Sequence, residues 1–332
     1  MNVLGLETSC DETGAAVVSD GTLVLANVVA SQIEIHRRFG GVVPEIASRQ
    51  HVLTILPTIE EALAQARLGW EDIDAVAVAR GPGLVGALLV GVNAAKGVAW
   101  SRGIPLLGVN HIEAHIYANW LVSPGEPAQE PAFPLLCLVV SGGHTELVLM
   151  RDHGRYERLG RTLDDAAGEA FDKAARILGL PYPGGPAIQT ASAAADGREV
   201  VLPRAELRAT YDFSFSGLKT AVQRVVRGSE DVDVPAVARG FQESVTDILV
   251  RKTVAAAETY GAAQVLVAGG VAANARLRER MGQALGDRVR FPRLEYCTDN
   301  AAMIAGVGYQ QLRRGEASGL DMDVDPGLDL AA

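Results

Sequence analysis

Residues 135–150 read LLCLVVSGGHTELVLM, and this stretch decides the fold. An apolar run, a loop of small polar residues and a second apolar run predict two strands joined by a short loop. The same plan occurs in residues 3–18, VLGLETSCDETGAAVV. A third strand pattern follows each pair, in residues 23–29 and around residues 155–159. The repetition predicts an internal duplication, with two similar α/β lobes that face one another.

Loops of small and polar residues connect the two strands of each pair. The first loop, residues 8–14, contains the adjacent acids Asp11 and Glu12, which suit phosphate or metal-water chemistry; a plain acidic turn explains them equally well. The second loop is residues 141–145. If the two lobes face one another, both loops converge on a central cleft, which is a usual place for a nucleotide.

Two histidines follow the apolar run of residues 104–109. If this run is a strand and the next segment a helix, His111 and His115 stand one turn apart on one face, where two imidazoles can hold one metal ion. Two unrelated histidines on a helix are the alternative. A zinc protease of the H-E-x-x-H type needs its glutamate directly after the first histidine. Ile112 occupies that place here and the acid is Glu113, so a peptidase interpretation is weak.

Composition limits the class of protein. A chain of 332 residues with 48% hydrophobic content can bury a large core and favours two lobes. Its three cysteines form no C-x-x-C pair, which indicates a reducing compartment.

The N-terminus does not resemble a signal peptide, and every apolar stretch is interrupted before it reaches membrane-spanning length. We expect a soluble cytoplasmic protein without a membrane partner. The net charge of −10 argues against strong unaided binding to nucleic acid.

Four further patterns give local predictions. Residues 180–186 contain three prolines and two glycines, so they predict a shaped loop without regular structure. Thr298 or Asp299 is placed as the N-cap of a last helix. The acidic segment after Gly319 is predicted to be loose. Asp172 is a candidate ribose or substrate ligand, or else a surface acid paired with a neighbouring base.

Seven stretches together resemble the bacterial TsaD (YgjD/Gcp) family of tRNA N6-adenosine threonylcarbamoyltransferases. They occur in the family's order over nearly the whole chain: GLETSCDET at 5–13, RGPG at 80–83, NHIEAH at 110–115, VSGGHT at 140–145, YPGGP at 182–186, FSFSGLK at 213–219 and CTDN at 297–300. The resemblance implies duplicated ribonuclease H-like lobes of the sugar kinase/Hsp70/actin (ASKHA) superfold with a central cleft. We expect residues 1–130 plus 300–332 to form the N-terminal lobe and residues 131–299 the C-terminal lobe.

The resemblance also implies an activity. The family transfers a threonylcarbamoyl group from threonylcarbamoyl-AMP to N6 of adenosine 37, in tRNAs that read codons starting with A. Implied partners are the anticodon loop of tRNA, an inactive paralogue of the same fold and a small P-loop ATPase. A metal-dependent glycoprotein endopeptidase and a small-molecule kinase of the same superfold are the alternatives, with a non-catalytic nucleotide-binding scaffold as a third.

The resemblance further implies the site residues. The metal ligands fall on His111, His115 and Asp299, and two imidazoles with one carboxylate suit iron(II) or zinc, one ion per chain. Glu12 or Asp11 is expected to accept the proton of the attacking amine. The expected substrate-binding residues are Val139, Val140, Ser141, Gly142 and Gly143 at the acyl-phosphate, and Asp172, Gly185 and Asn274 at the adenylate. Many relatives have an aspartate where this chain has Gln189.

Overall fold

The structure, a computed structural model, describes residues 1–204, 207 and 210–330. These residues form ten strands: β1 (Asn2–Glu7), β2 (Glu12–Ser19), β3 (Leu23–Ser31), β4 (Ala75–Gly81), β5 (Leu106–Asn110), β6 (Leu135–Val140), β7 (Thr145–Asp152), β8 (Arg155–Arg161), β9 (Gln264–Ala268) and β10 (Val289–Arg290).

The same residues form ten α-helices: α1 (Ile33–Arg37), α2 (Pro44–Ala66), α3 (Val85–Arg102), α4 (His111–Tyr117), α5 (Ala167–Ile177), α6 (Gly184–Ala193), α7 (Ser216–Arg227), α8 (Val234–Thr259), α9 (Ala275–Leu285) and α10 (Ala301–Arg313). None of the helices in the described ranges combines the length and the apolar character that a membrane crossing needs.

The chain divides into two compact units. The first consists of Met1–Glu130 with Pro292–Ala332, and the second is Pro131–Phe291. Residues 292–299 therefore belong to the first unit, whereas the sequence analysis assigned them to the C-terminal lobe. Arg293 explains the assignment, because its Nη1 donates to Ser123 Oγ at 2.9 Å and to the Glu126 carboxylate at 2.8 Å. Asp299 consequently lies in the same unit as the two histidines.

Each unit is built on one five-stranded sheet. The first sheet has the order β3-β2-β1-β4-β5, and the second has β8-β7-β6-β9-β10. In both sheets the first three strands pair antiparallel and the next two pairings are parallel. The two orders are equivalent strand by strand, so the predicted duplication is confirmed.

Helix α10 packs closely against the first sheet. A Cβ at Gly5 in β1 would clash with the carbonyl oxygen of Ala301, the first residue of α10. A Cβ at Gly14 in β2 would lie 3.1 Å from the backbone nitrogen of Ala301. Glycine at these two positions lets the helix start sit directly on the sheet, which fixes the position of the preceding residue pair, Asp299 and Asn300.

Three local predictions differ from the structure. Helix α6 begins at Gly184 and contains Pro186, so the shaped-loop prediction for residues 180–186 is wrong for its second half. The first turn of a helix leaves its N–H groups without helical partners, and proline costs little there. The N-cap of α10 is Asn300, whose side chain accepts from Met303 N. The C-terminal segment is held in place, with Asp325 N donating to Arg80 O at 2.8 Å.

Candidate functional site

The histidine pair stands on a short helix that follows β5 without an intervening loop. Asn110 ends the strand and caps the helix, because its Oδ1 accepts from Ile112 N at 2.8 Å and from Glu113 N at 3.2 Å. The prediction of a strand followed by a helix is therefore confirmed. His111 and His115 lie one turn apart, and their side chains are buried, with residue exposures of 8% and 1%.

Asp299 reaches the histidines from the segment before α10. Its Oδ1 lies 3.2 Å from His115 Nε2 and 3.5 Å from His111 Nε2. The ligand atoms of all three residues lie within 4.8 Å of one another, so the group could hold a metal ion. Residues far apart in sequence thus meet within the first unit.

The distances between the ligand atoms, and the ring nitrogens of His115 that make no hydrogen bond within the described ranges, both fit a divalent cation. Bonds of about 2.0–2.2 Å in a tetrahedral arrangement place neighbouring ligand atoms about 3.3 Å apart, close to both distances from Asp299. Neither ring nitrogen of His115 makes a hydrogen bond among the described residues, and the contact of Nε2 with Asp299 Oδ1 at 3.2 Å is an ion-pair distance only. A buried polar atom without a partner is costly, and coordination through Nε2 would satisfy one of the two.

Glu7, a residue that the sequence analysis did not select, contacts the first histidine. Its side chain is fully buried at the end of β1, and its Oε2 lies 2.9 Å from His111 Nδ1. Burial lowers the pKa of His111, but the carboxylates of Glu7 and Asp299 outweigh it, so the pKa lies well above the usual value. Burial raises the pKa of Asp299, yet His111 and His115 together bring it well below its usual range. A lone acid in an otherwise apolar strand was the sequence signal for Glu7.

Glu12, the second acid of the first loop, is close enough to Asp299 for their charges to interact. Asp11 stays in the loop, whereas Glu12 is the first residue of β2. Burial first, and then the charges of Asp299 and Asp11, raise the pKa of Glu12 to about 9. Without a nearby cation Glu12 is therefore protonated at neutral pH. A cation on Asp299 would oppose this shift, because it stabilises the ionised carboxylate.

His51, which the sequence analysis placed only on the long helix α2, braces the acidic loop. Its side chain is fully buried, with Nδ1 2.8 Å from Thr13 Oγ1 and Nε2 3.0 Å from Cys10 O. Burial lowers the pKa of His51, which favours its neutral form. One face of α2 thus fixes both ends of the segment that carries Asp11 and Glu12.

In the second unit, the loop between β6 and β7 carries most of the residues expected at the acyl-phosphate. Val139 and Val140 are fully buried at the end of β6. Ser141 closes the turn, since its N donates to His144 O at 2.8 Å and its Oγ accepts from His144 N at 3.1 Å. A Cβ at Gly142 or Gly143 would meet no atom within 4 Å, so the backbone at the tip is open to a ligand.

In the second unit, side-chain oxygens of Asp172 and Asn274 each accept a hydrogen bond from a backbone N–H group. Asp172 Oδ1 accepts from Gly184 N at 2.7 Å at the start of α6, and burial raises its pKa. Asp172 is half-buried, and the charge of Arg176 opposes the effect of burial on its pKa. Asn274 caps α9, with Oδ1 accepting from Leu277 N at 3.0 Å.

Gln189 lies beside the start of α9. Its Oε1 accepts from Ala275 N at 2.8 Å, so its amide NH₂ is the end that could serve a ligand. A cavity of 380 Å³ opens here, with Gln189, Gln242 and Ala275 in its wall. Gln242 Oε1 also accepts from Asn274 Nδ2 at 3.0 Å, which links Asn274 to this wall. A Cβ at Gly185 would meet nothing within 4 Å, so the first turn of α6 is open as well.

Comparison with solved structures agrees with the fold. HypF from T. kodakarensis matches with a TM-score of 0.62 at 14% identity, over 94% of this chain and 48% of that one. Component A of (R)-2-hydroxyglutaryl-CoA dehydratase from Acidaminococcus fermentans matches with a TM-score of 0.53 at 15% identity, over 94% and 99%. At these identities the likeness concerns the fold alone, and it agrees with the predicted ASKHA superfold.

Comparison with protein sequences gives the family. The model of the TsaD family, described as tRNA N6-adenosine threonylcarbamoyltransferase, matches residues 23–306. A protein of that name from Dehalococcoides mccartyi (strain BAV1) is 56% identical over 333 residues, which cover 100% of both chains. Another from Thermomicrobium roseum is 54% identical over 354 residues, which cover 99% of this chain and 97% of that protein. With most of its length matched by the family model and more than half of its residues shared with full-length relatives, this chain belongs to the TsaD family of tRNA N6-adenosine threonylcarbamoyltransferases.

Proposed function

We propose that this chain transfers a threonylcarbamoyl group from threonylcarbamoyl-AMP to N6 of adenosine 37, in tRNAs that read codons starting with A. The observation that carries the proposal is the identity of 54–56% over the full chain with relatives named for this transfer. The product is threonylcarbamoyladenosine, t6A, and AMP is released. The bond between adenine N6 and the carbamoyl carbon forms as the bond from that carbon to the phosphate oxygen breaks.

His111, His115 and Asp299 are the proposed ligands of one divalent metal ion per chain. Two imidazole nitrogens and one carboxylate leave coordination positions open, which suits iron(II) in the first place and zinc as the alternative. When bound, such an ion supplies positive charge that orients the adenylate and polarises its oxygens.

Residues of the second unit are proposed to hold the donor. The backbone amides of Gly142 and Gly143 donate to the acyl-phosphate oxygens, on a turn that Ser141 closes through its bond to His144 O and that Val139 and Val140 anchor. The side chains of Asp172 and Asn274, with the open backbone at Gly185, hold the adenosine part. Preorganised donors of this kind stabilise the oxyanion that develops when the carbonyl is attacked.

The acidic loop is proposed to remove the proton. An adenine amine is a poor nucleophile because its lone pair is delocalised into the ring, so alignment with a good leaving group supplies much of the rate. Glu12 or Asp11 accepts the proton as the amine attacks. For Glu12 this requires the ionised carboxylate, and the raised pKa of about 9 means that a cation beside Asp299 is needed for it at neutral pH.

The proposed partners are tRNA, an inactive paralogue and a small P-loop ATPase. The net charge of −10 makes strong unaided binding of tRNA unfavourable, which supports a requirement for helpers. Helix α2 also exposes three large apolar side chains, Val52, Leu53 and Leu56, by 63%, 67% and 63%. An apolar patch of this kind suits a protein partner.

Adenosine 37 lies in a loop, so the base is reached without opening a duplex. The compartment we propose is the cytoplasm.

The test is reconstitution of the modification. The chain is incubated with the proposed partners, a source of threonylcarbamoyl-AMP and unmodified tRNA, and nucleosides of the anticodon loop are analysed by mass spectrometry. We expect t6A with the wild-type chain and none with Asp299→Ala. Absence of t6A with the wild-type chain, together with glycoprotein cleavage that His111→Ala abolishes, would instead favour the endopeptidase. ATP-dependent phosphorylation of a small molecule would favour the kinase.

A further inference from the structure

The carboxylate of Glu7 lies at the end of β1 with none of its surface exposed to solvent. The residues before it in the strand, Val3, Leu4 and Leu6, are fully buried apolar side chains. An ionised carboxylate in such surroundings is costly unless both oxygens have partners. The partners of Glu7 therefore indicate what the residue does.

Both oxygens of Glu7 have partners. Oε1 accepts a hydrogen bond from the backbone N–H of Ser9, which fixes the carboxylate at the start of the acidic loop. Oε2 lies 2.9 Å from Nδ1 of His111. The other ring nitrogen of His111, Nε2, lies 3.5 Å from Asp299 Oδ1. The imidazole is thus held between a carboxylate on each side, with only one of them in the proposed ligand group.

We propose that Glu7 is a positioning residue that keeps the proton of His111 on Nδ1 and so leaves the lone pair of Nε2 for the metal ion. The inference rests on the proposed metal site. A hydrogen bond to one nitrogen of an imidazole decides which nitrogen remains a ligand. It also fixes the ring's rotation, because the donor must point at Oε2.

The second histidine has no such partner. His115 Nδ1 makes no hydrogen bond within the part of the chain that the structure describes. The two proposed histidine ligands therefore differ: Nδ1 of His111 faces a buried carboxylate, and among the described residues Nδ1 of His115 does not. Of the two histidines, His111 alone should change its ligand behaviour when the Glu7 carboxylate is removed.

Glu7→Gln is the sharpest variant because it keeps the shape and removes one acceptor. The amide offers one oxygen and one NH₂ to two groups that both donate, Ser9 N–H and His111 Nδ1–H. If the NH₂ faces His111, it donates to Nδ1 and drives the proton to Nε2, where it blocks coordination. If the NH₂ faces Ser9, the loop loses its anchor instead. Ser9→Ala is the matched control, since it removes only the longer contact of 3.3 Å between Ser9 Oγ and Nδ1.

The experiment measures the affinity of the full chain for Zn²⁺ by competition with a chromophoric chelator. We expect Glu7→Gln to bind Zn²⁺ about 10- to 100-fold more weakly than wild type, the range typical for partners of metal-bound histidines. Ser9→Ala should lose less Zn²⁺ affinity than Glu7→Gln does. Thermal unfolding of the metal-free proteins shows whether each variant remains folded.

Nitrogen NMR of histidine-labelled wild-type protein provides a second readout that needs no variant. The spectra of metal-free protein are recorded at a pH above the raised pKa of His111, where the ring is neutral. We expect its proton on Nδ1, and Zn²⁺ should shift the Nε2 signal. A proton on Nε2 of that neutral ring would overturn the role of Glu7, as would an unchanged Zn²⁺ affinity in a folded Glu7→Gln whose His111 proton has moved to Nε2. Failure of the wild type to bind Zn²⁺ or iron(II) would overturn the metal site itself, and the NMR spectra would still decide the position of the proton.

Discussion

The Glu12 side chain should make the metal-free protein less stable as the pH rises. Its pKa of about 9 in the folded protein exceeds its ordinary value of 4.5, so the folded state binds this proton more tightly than the unfolded state does. The stability that the proton provides is fully present below pH 4.5 and is lost as the pH rises through 9. Glu12→Gln removes the titration and with it this part of the pH dependence.

The magnitude follows from proton linkage. Between the two pKa values one differentially bound proton changes the free energy of unfolding by about 1.4 kcal/mol per pH unit. From pH 6 to pH 8 the free energy of unfolding of the wild type should therefore fall by up to about 2.7 kcal/mol more than that of Glu12→Gln. Asp299 and Asp11 are coupled to Glu12, so the figure is an upper limit, whereas groups distant from Glu12 are common to both proteins and cancel in the comparison.

The assay is urea unfolding of metal-free protein at pH 6 and pH 8. Glu60→Gln, an exposed acid on α2, serves as the control and should show the wild-type pH dependence. Added Zn²⁺ should reduce the difference in pH dependence between wild type and Glu12→Gln, because a cation at Asp299 favours the ionised carboxylate of Glu12. Identical pH dependence of wild type and Glu12→Gln without metal would show that Glu12 is not buried beside the charge of Asp299.

Three further predictions concern the assembly of the same site. Asp299→Ala should lose most of its bound metal and its transfer activity, as measured by elemental analysis and t6A formation; full retention of both would exclude it as a ligand. Gly5→Ala should lower the free energy of unfolding by about 1–3 kcal/mol, because its methyl group meets Ala301 O. In contrast, Gly97→Ala in α3 meets nothing within 4 Å and should stabilise by up to about 1 kcal/mol; equal effects in urea unfolding would contradict the close packing of α10. Asn110→Ala should cost about 1 kcal/mol through loss of the α4 cap and should weaken Zn²⁺ binding in the chelator assay; unchanged Zn²⁺ affinity would mean that the cap does not position the histidines.

Much of the fold follows from local patterns. The strand, loop and strand plan of residues 3–18 and 135–150 recurs because each sheet begins with the same antiparallel pair. The helical spacing of His111 and His115 is likewise a local property, set by the Asn110 cap. Such features depend on residues near one another in sequence, which is why the sequence alone predicts them.

Other features depend on contacts that no local pattern contains. The start of α6 was interpreted as a loop because Gly184 and Pro186 disfavour helix interiors, yet they occupy a first turn. Asp299 entered the metal group only through resemblance to a family, and the charged residue that orients His111 was missed. Glu7 carries a sequence signal, but its partner could be identified only from the paired distances.

The contribution of Asp299 depends on how α10 returns to the first sheet. The helix starts against β1 and β2, where Gly5 and Gly14 leave room for the backbone of Ala301. Asn300 caps the helix by accepting from Met303 N, and its Nδ2 donates to Thr298 O at 2.8 Å, so its side chain holds the backbone on both sides of the residue before it. Asp299 is that residue, and its carboxylate lies beside the Nε2 atoms of both histidines. Two glycines and one cap therefore determine the third proposed ligand, although none of the three touches a metal ion.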